Sequence, residues 1–404
     1  MLRIAALVNG NAKNNKIGRA EKERQMLQRS LRTAKVNITT KADIVRAVCQ
    51  DYVKEPVDIV MVSGGDGTIQ NFMTHCFIEN YRKFGKGMTP IEFARRFNQM
   101  AMDPGSGVCL PAIYHRKKGT VNFYSDTLGM KGEIETIAEN LEIAGKYHRE
   151  LGKTAFARVY VPVIMIYSKE NPNDLDALQL MTIYGDGFAY NFFEQYYEPK
   201  KKGDDSTFFT AANVITRGSV SAVLAKVMDD ATRLLFASAE ISRRIYRNRY
   251  ADVLVPKIRC EVRLDGEKLP NTERTVTAMA SMGAKTYGLR ISWLLPGRAE
   301  DFRAYFPPRV TENPELMDSA DYRIHFMGGD VAPLDLSKTV PSLLLGKKNN
   351  ARGATDRTAR RIEIEQDEPL RYIADGSRQI NGCSAVFEIA YLQPFILLDK
   401  RPCR

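Results

Sequence analysis

The chain has 404 residues, 44% hydrophobic and 26% charged, enough for two ordinary domains with full cores, which argues against a disordered or fibrous protein. A net charge of +11 favours anionic partners such as nucleotides or acidic lipid surfaces. The six cysteines form no CxxC pair and the four histidines no HExxH, so neither a zinc site nor a disulfide framework is expected.

The predicted elements begin with a short strand, Ile4 to Val8, ending at Asn9-Gly10. This start lacks the long apolar core and cleavage site of a signal peptide. The most apolar later run, Val159 to Tyr167, is too short to span a bilayer. A cytoplasmic protein with reduced thiols is expected, with peripheral membrane visits. The basic clusters Lys200-Lys201-Lys202, Arg243-Arg244 and Arg360-Arg361 come without a nucleic-acid-binding motif, so nucleic acid is not an expected partner. Attraction to an anionic membrane surface is the more economical use of the charge.

Ile17 to Leu31 and Lys41 to Val53 carry apolar residues at helical spacing, separated by the β-prone Val36 to Thr39. Asp58 to Ser63 is a buried strand, followed by Gly64-Gly65-Asp66-Gly67-Thr68 and a helix from Ile69 to Phe77. This β-α-β-α-β order predicts a parallel sheet covered on both faces. Residues 81–107 read as an insertion with a short helix near Ile91 to Gln99, and the sheet resumes at Val108 to Tyr114. The loop Lys117 to Asn122 and helical text up to Ala144 follow.

Beyond residue 150 the character changes. Phe156 to Tyr167 and Leu178 to Tyr184 alternate as antiparallel strands do. After a helical block, Val220 to Tyr246, come β segments at Ile258–Leu264, Thr275–Ser281, Leu289–Leu295, Tyr322–Phe326, Arg361–Ile364, Leu370–Ala374 and Ala385–Ile389. Asp265-Gly266 and Asp375-Gly376 are turn signals between strands. The expected organisation is an α/β domain over 1–150 and a β-rich domain with a helical insertion over 151–395.

A strand, a glycine turn and a helix start hold phosphate well. Small residues let the backbone come close, and N–H groups at a helix N-terminus favour negative charge. An acid inside the turn is out of place in a site that only binds phosphate. It suits one that also uses magnesium or accepts a proton. GxxxxGK[ST], protein-kinase motifs and GxSxG are absent. Taken alone, Gly-Gly and Asp-Gly also fit an ordinary tight turn.

Ile59 to Thr68, with its GGDGT, resembles the nucleotide loop of the diacylglycerol kinase and sphingosine kinase superfamily. Related acid-containing glycine loops occur in NAD kinases and phosphofructokinases. Leu7-Val8-Asn9 resembles the family's first strand and asparagine. Gly119-Thr120-Val121-Asn122 resembles its second loop, and Asp375-Gly376 its late turn. Gly185-Asp186-Gly187-Phe188 stands where the family opens its second domain with a glycine-rich turn. The resemblance implies an NAD kinase-like N-terminal domain, a C-terminal antiparallel β-sandwich, and ATP-dependent phosphorylation of a lipid hydroxyl with Mg2+ in the cleft. It implies a nucleotide site at Asn9, Gly64, Gly65, Asp66, Gly67, Thr68, Gly119, Thr120 and Asn122. Asp375 and Asp66 are the implied catalytic acids, with Asp375 favoured as base and Asp66 near the metal.

The chain departs from the family pattern at several places. Gly10 and Lys117 replace prolines, and Phe123, Ser377 and Ala189 stand where the family carries acids. A small-molecule kinase closer to NAD kinase, and a catalytically silent nucleotide- or lipid-binding module, therefore remain alternatives.

Overall fold

The computed structural model describes residues 3–12, 17–30, 35–103, 105–118, 123–128, 130, 157–191, 194, 255–281, 284–286, 289–291, 322–332, 335 and 351–397. The first part of the chain runs β1 (Ile4–Asn9), α1 (Ile17–Ser30), β2 (Lys35–Thr39), α2 (Ala42–Lys54), β3 (Ile59–Gly64), α3 (Asp66–Phe84), α4 (Pro90–Met102), β4 (Ala112–Lys117) and α5 (Phe123–Leu128). Strands β2, β1, β3 and β4 pair in that order, all parallel. Covered on both faces, β1 and β3 read as continuous apolar runs rather than alternating ones. Their side chains still divide by parity. Ala5, Leu7, Val60 and Val62 pack against α2, α3 and α4, whereas Ala6, Val8, Ile59 and Met61 pack with Ala20 and Leu27 of α1.

The second part supplies β5 (Ala157–Ser168), β6 (Gln179–Met181), β7 (Ile183–Gly187), β8 (Ile258–Leu264), β9 (Glu267–Lys268), β10 (Glu273–Arg274), β11 (Val276–Ala280), β12 (Ala284–Thr286) and β13 (Leu289–Ile291). It continues with β14 (Ile324–Gly329), β15 (Ala354–Ala359), β16 (Arg361–Gln366), β17 (Arg371–Ala374), β18 (Ser377–Ile380) and β19 (Ser384–Leu397). An antiparallel sheet of six strands has the order β15-β14-β11-β7-β17-β18. A separate buried cluster joins its Tyr184, Met279, Phe326 and Tyr372 to Ile362, Ile364 and Phe387 of the larger sheet.

The last strand ties the halves together. β19 pairs antiparallel with β5 along most of its length and meets β4 in parallel at Phe395 opposite Ile113. The parallel sheet thus continues into antiparallel strands as one sheet of eleven. The sequence predicts only Ala385 to Ile389 of this strand. A register shift lies between Ile389 and Tyr391, and Pro394 lacks a ladder N–H, which hides the continuation from strand statistics.

Other boundaries also move. The helix predicted from Ile69 to Phe77 begins at Asp66 and ends at Phe84, so part of the expected insertion belongs to α3. The helix expected near Ile91 to Gln99 is α4, started by a capping box in which Thr89 and Glu92 bond each other's backbone N–H. The sheet resumes at Ala112 rather than Val108. The strand expected over Leu178 to Tyr184 is broken at Thr182, whose amide and hydroxyl turn to Asp375 instead of a ladder. The helical text from 131 to Ala144, the block from Val220 to Tyr246 and the extension of β13 past Ile291 lie outside the described residues. Among the described residues no helix is long and apolar enough to cross a membrane.

Candidate active site

The glycine turn joins the end of β3 to the start of α3. Gly65 is the N-cap, with φ −95° and ψ 177°, and no side chain caps the helix. A helix start without such a cap suits a bound anion. Glycine at 64 is a packing requirement: a Cβ there would lie 2.5 Å from Thr68 Oγ1 and 2.9 Å from Thr68 Cβ. Thr68 is held in turn by Asn9, whose Nδ2 donates to Thr68 Oγ1 at 2.8 Å. The first and third parallel strands therefore deliver Asn9 and the glycine turn to one place.

The Gly64 carbonyl accepts from the Lys118 amide at 2.9 Å and lies 3.0 Å from Nε2 of the buried His115. His115 Nδ1 is 2.6 Å from the Ser125 hydroxyl on α5. Cationic charge beside the turn is partly neutralised. Arg116 pairs with the buried Glu23 of α1, and Lys118 Nζ lies 3.9 Å from the same carboxylate.

Asp66 opens α3 and is buried. One of its oxygens accepts from the Phe123 amide at 3.0 Å and the other from the Tyr124 amide at 3.3 Å. It thus serves the first amides of α5, where a carboxylate is electrostatically favoured. Phe123 stands where the resemblance expects an acid, yet its backbone remains in contact with the turn.

The Asp375 hairpin comes from the other end of the sequence. Ala374 pairs with Ser377, and Asp375 and Gly376 have φ of 45° and 82°, a two-residue turn with both φ positive. Asp265-Gly266 makes the same geometry on the surface, with φ of 51° and 86°. The two differ in surroundings: Asp265 is exposed, and Asp375 is 1% exposed. Asp375 accepts from the Thr182 amide at 3.0 Å, the Ile183 amide at 2.8 Å and the Tyr124 hydroxyl at 2.7 Å. The Thr182 hydroxyl lies 3.1 Å from Asp375 Oδ1 and 3.0 Å from the Tyr124 oxygen. The hairpin also touches the glycine turn directly, because a Cβ on Gly67 would lie 2.1 Å from Ser377 Oγ.

Burial pushes the Asp375 carboxyl up to about 6, against the lowering effect of Tyr124, Thr182 and Ile183. The folded state therefore binds this proton more tightly than the unfolded chain does. The stability this confers is complete below the unfolded value near 3.8 and is lost as pH rises through about 6. The expected loss is on the order of 3 kcal/mol relative to Asp375→Asn, read from urea unfolding between pH 4 and pH 8. Parallel pH profiles for the two proteins would contradict the assignment.

The structure thus brings together Asn9, Gly64, Gly65, Asp66, Gly67, Thr68 and Asp375. The predicted loop residues Gly119, Thr120 and Asn122 lie outside the described residues. Tyr124 and Thr182 also contribute, and neither lies in a motif. The signal for Tyr124 was its place just after the second loop; Thr182 carried none. The segment Gly185 to Phe188, expected as a turn, lies largely in β7. There Asp186 forms a buried ion pair with Arg274 and accepts from the Tyr184 hydroxyl at 2.6 Å.

Residues 3–91 match the sequence profile of the diacylglycerol kinase catalytic domain. No curated protein matches the chain in a sequence search. Two solved structures of a putative diacylglycerol kinase from Bacillus anthracis strain Sterne resemble it, at 14% identity with a TM-score of 0.50 and at 15% with 0.49. A third, of a diacylglycerol kinase from the same strain, aligns at 13% identity with a TM-score of 0.47. Each comparison covers 98% of this chain and 96% of the other. At such identity, the likeness with a TM-score of 0.50 speaks for the fold alone. Residues 3–91, which include the GGDGT turn, are thus similar to the diacylglycerol kinase catalytic domain.

Proposed function

We propose that the protein is an ATP-dependent lipid kinase that transfers the γ-phosphate to a lipid hydroxyl at an anionic membrane surface. One observation carries this reading: the acid of the glycine turn and the acid of the C-terminal hairpin are held at the two ends of one residue, Tyr124. The nucleotide phosphates would rest on the backbone around Gly64, Gly65 and Gly67 at the α3 start, with Asn9 and Thr68 beside them. The donor set fits, since that helix start has no side-chain cap. Gly119, Thr120 and Asn122 complete the nucleotide loop in this proposal.

Among the described residues no cluster of three His, Cys, Asp or Glu could hold a metal. Mg2+ is commonly held by one or two carboxylates together with substrate phosphates, and Asp66 suits that arrangement. Bound Mg2+ would supply charge neutralisation on the phosphates. Asp375 is the proposed base for the acceptor hydroxyl, with an affinity for protons near neutrality that matches the task. Phosphoryl transfer asks mainly for positioning and charge neutralisation, so this apparatus suffices. The domain division at 1–150 and 151–395, and a sandwich arrangement of the second part, belong to the same proposal.

The near-complete burial of Asp375 favours a second reading, a silent binding module. Labelled γ-phosphate separates the readings. The lipid kinase labels extracted lipids and leaves soluble acceptors unlabelled. Label in soluble acceptors alone points to a small-molecule kinase. Nucleotide binding without transfer to any acceptor points to the silent module.

A further inference from the structure

Both acids of the proposed site meet at Tyr124, a residue that no motif singles out. Its backbone N–H donates to Asp66 at 3.3 Å, and its hydroxyl donates to Asp375 Oδ2 at 2.7 Å. The ring has no exposed surface. It stacks on Phe395 with centroids 5.2 Å apart and planes 21° apart, and on Phe123 at 4.3 Å. Phe395 is the residue at which β19 meets β4. The strand that joins the two halves of the molecule therefore also supplies the platform for this tyrosine. The Thr182 hydroxyl stands 3.0 Å from the phenol oxygen, so the phenol has an oxygen neighbour on each side.

We propose that Tyr124 is a positioning residue that joins the two acids into one unit: its amide fixes the Asp66 carboxylate, and its hydroxyl orients Asp375 and favours its ionised form. The inference rests on the kinase reading for its catalytic consequence and on geometry alone for the coupling. A phenylalanine would fill the same space and stack the same way. The hydroxyl carries the hydrogen bond to Asp375, so its contribution is separable from packing.

Among the described residues, charged and titratable groups face this pair from α3 and β4, and β12, packed on α5, carries Lys285. From α3 comes Asp66, whose negative charge acts on Tyr124, and from β4 comes His115, edge-on to the Tyr124 ring at 6.4 Å. The β6–β7 junction contributes only the neutral donors of Thr182 and Ile183. Burial, and after it the Asp375 charge, hold the phenol itself well above its ordinary range. It therefore acts as a donor throughout the working pH range and does not itself titrate there.

The test compares wild type, Tyr124→Phe and Thr182→Val in two pH profiles: kcat for labelled phosphate transfer to lipid, and unfolding free energy in urea. Removing a donor from a carboxylate raises the pH at which it ionises. The expected result is that the Asp375 transition, near pH 6 in the wild type, moves up by about one to two pH units in Tyr124→Phe. At pH 6 kcat then falls by about five- to fiftyfold and at high pH by much less, while the KM for ATP stays near wild type. Thr182→Val shifts the transition in the same direction. Transitions that stay in place in both variants overturn the proposal, as does a Tyr124→Phe protein whose kcat falls equally at every pH. If the wild type transfers phosphate to no acceptor, the kinase reading fails, and the unfolding profiles still decide whether Tyr124 sets the Asp375 carboxyl.

Discussion

Asp375→Asn is expected to fold as the wild type does and to lose phosphoryl transfer by about 10²- to 10⁴-fold. Asparagine suits this position in three ways. It tolerates the positive φ of 45° better than other residues except glycine. Its carbonyl oxygen replaces Oδ1 and keeps the donors from Thr182 and Ile183. Its amide nitrogen replaces Oδ2 and donates to the Tyr124 oxygen, the phenol changing from donor to acceptor. The base is lost and the hydrogen bonds survive. Asp375→Ala differs, because the Thr182 and Ile183 amides then lose their carboxylate acceptor inside the fold, at about 1–3 kcal/mol each, and the Tyr124 hydroxyl keeps only the Thr182 hydroxyl. Alanine should therefore lower both activity and Tm, and asparagine activity alone. An asparagine variant that transfers phosphate at the wild-type rate would remove Asp375 from catalysis.

Arg274→Ala is expected to destabilise the fold by about 3–5 kcal/mol. Arg274 and Asp186 are each 2% exposed, and the guanidinium also reaches Thr277 and, at 2.5 Å, Gln366. Burial works against the charge on Arg274, but Asp186 together with Tyr184 and Cys260 offsets it and holds the guanidinium above its ordinary value. Truncation leaves the Asp186 carboxylate buried with the Tyr184 hydroxyl as its remaining neutral partner. The effect reaches the site through β7, because Ile183 at the start of that strand donates to Asp375. Replacing both charges, as in Asp186→Leu with Arg274→Met, should recover much of the loss, since the cost lies in the unpaired ion rather than in the missing pair. Urea unfolding of Arg274→Ala and of the double variant checks this. A single variant within about 1 kcal/mol of wild type would mean that water already reaches Asp186.

The parallel half of the fold was legible because its signals are local. Apolar runs at β1 and β3, helical spacing at α2 and a glycine turn between strand and helix lie within short windows. The acids were legible as residue types in glycine turns, and Asp265-Gly266 shows how little the dipeptide says without its surroundings. What separates Asp375 from Asp265 is contact with Tyr124 and Thr182, residues 251 and 193 positions away. Single-sequence periodicity carries no such information. The reach of β19 was hidden for a related reason: its partners are β5, β16 and β4, and its Gln393 and Pro394 break the apolar run. Thr182 was read as strand interior, and only the Asp375 carboxylate explains why the chain breaks there.

The claim that the glycine turn and the distant hairpin form one phosphoryl-transfer site meets its most direct test in a crystal structure with a non-hydrolysable ATP analogue and Mg2+. The account predicts phosphates against the backbone of residues 64–68 at the start of α3, with the terminal phosphate on the side of the Asp375 hairpin. An analogue bound elsewhere, with that turn left empty, would contradict it.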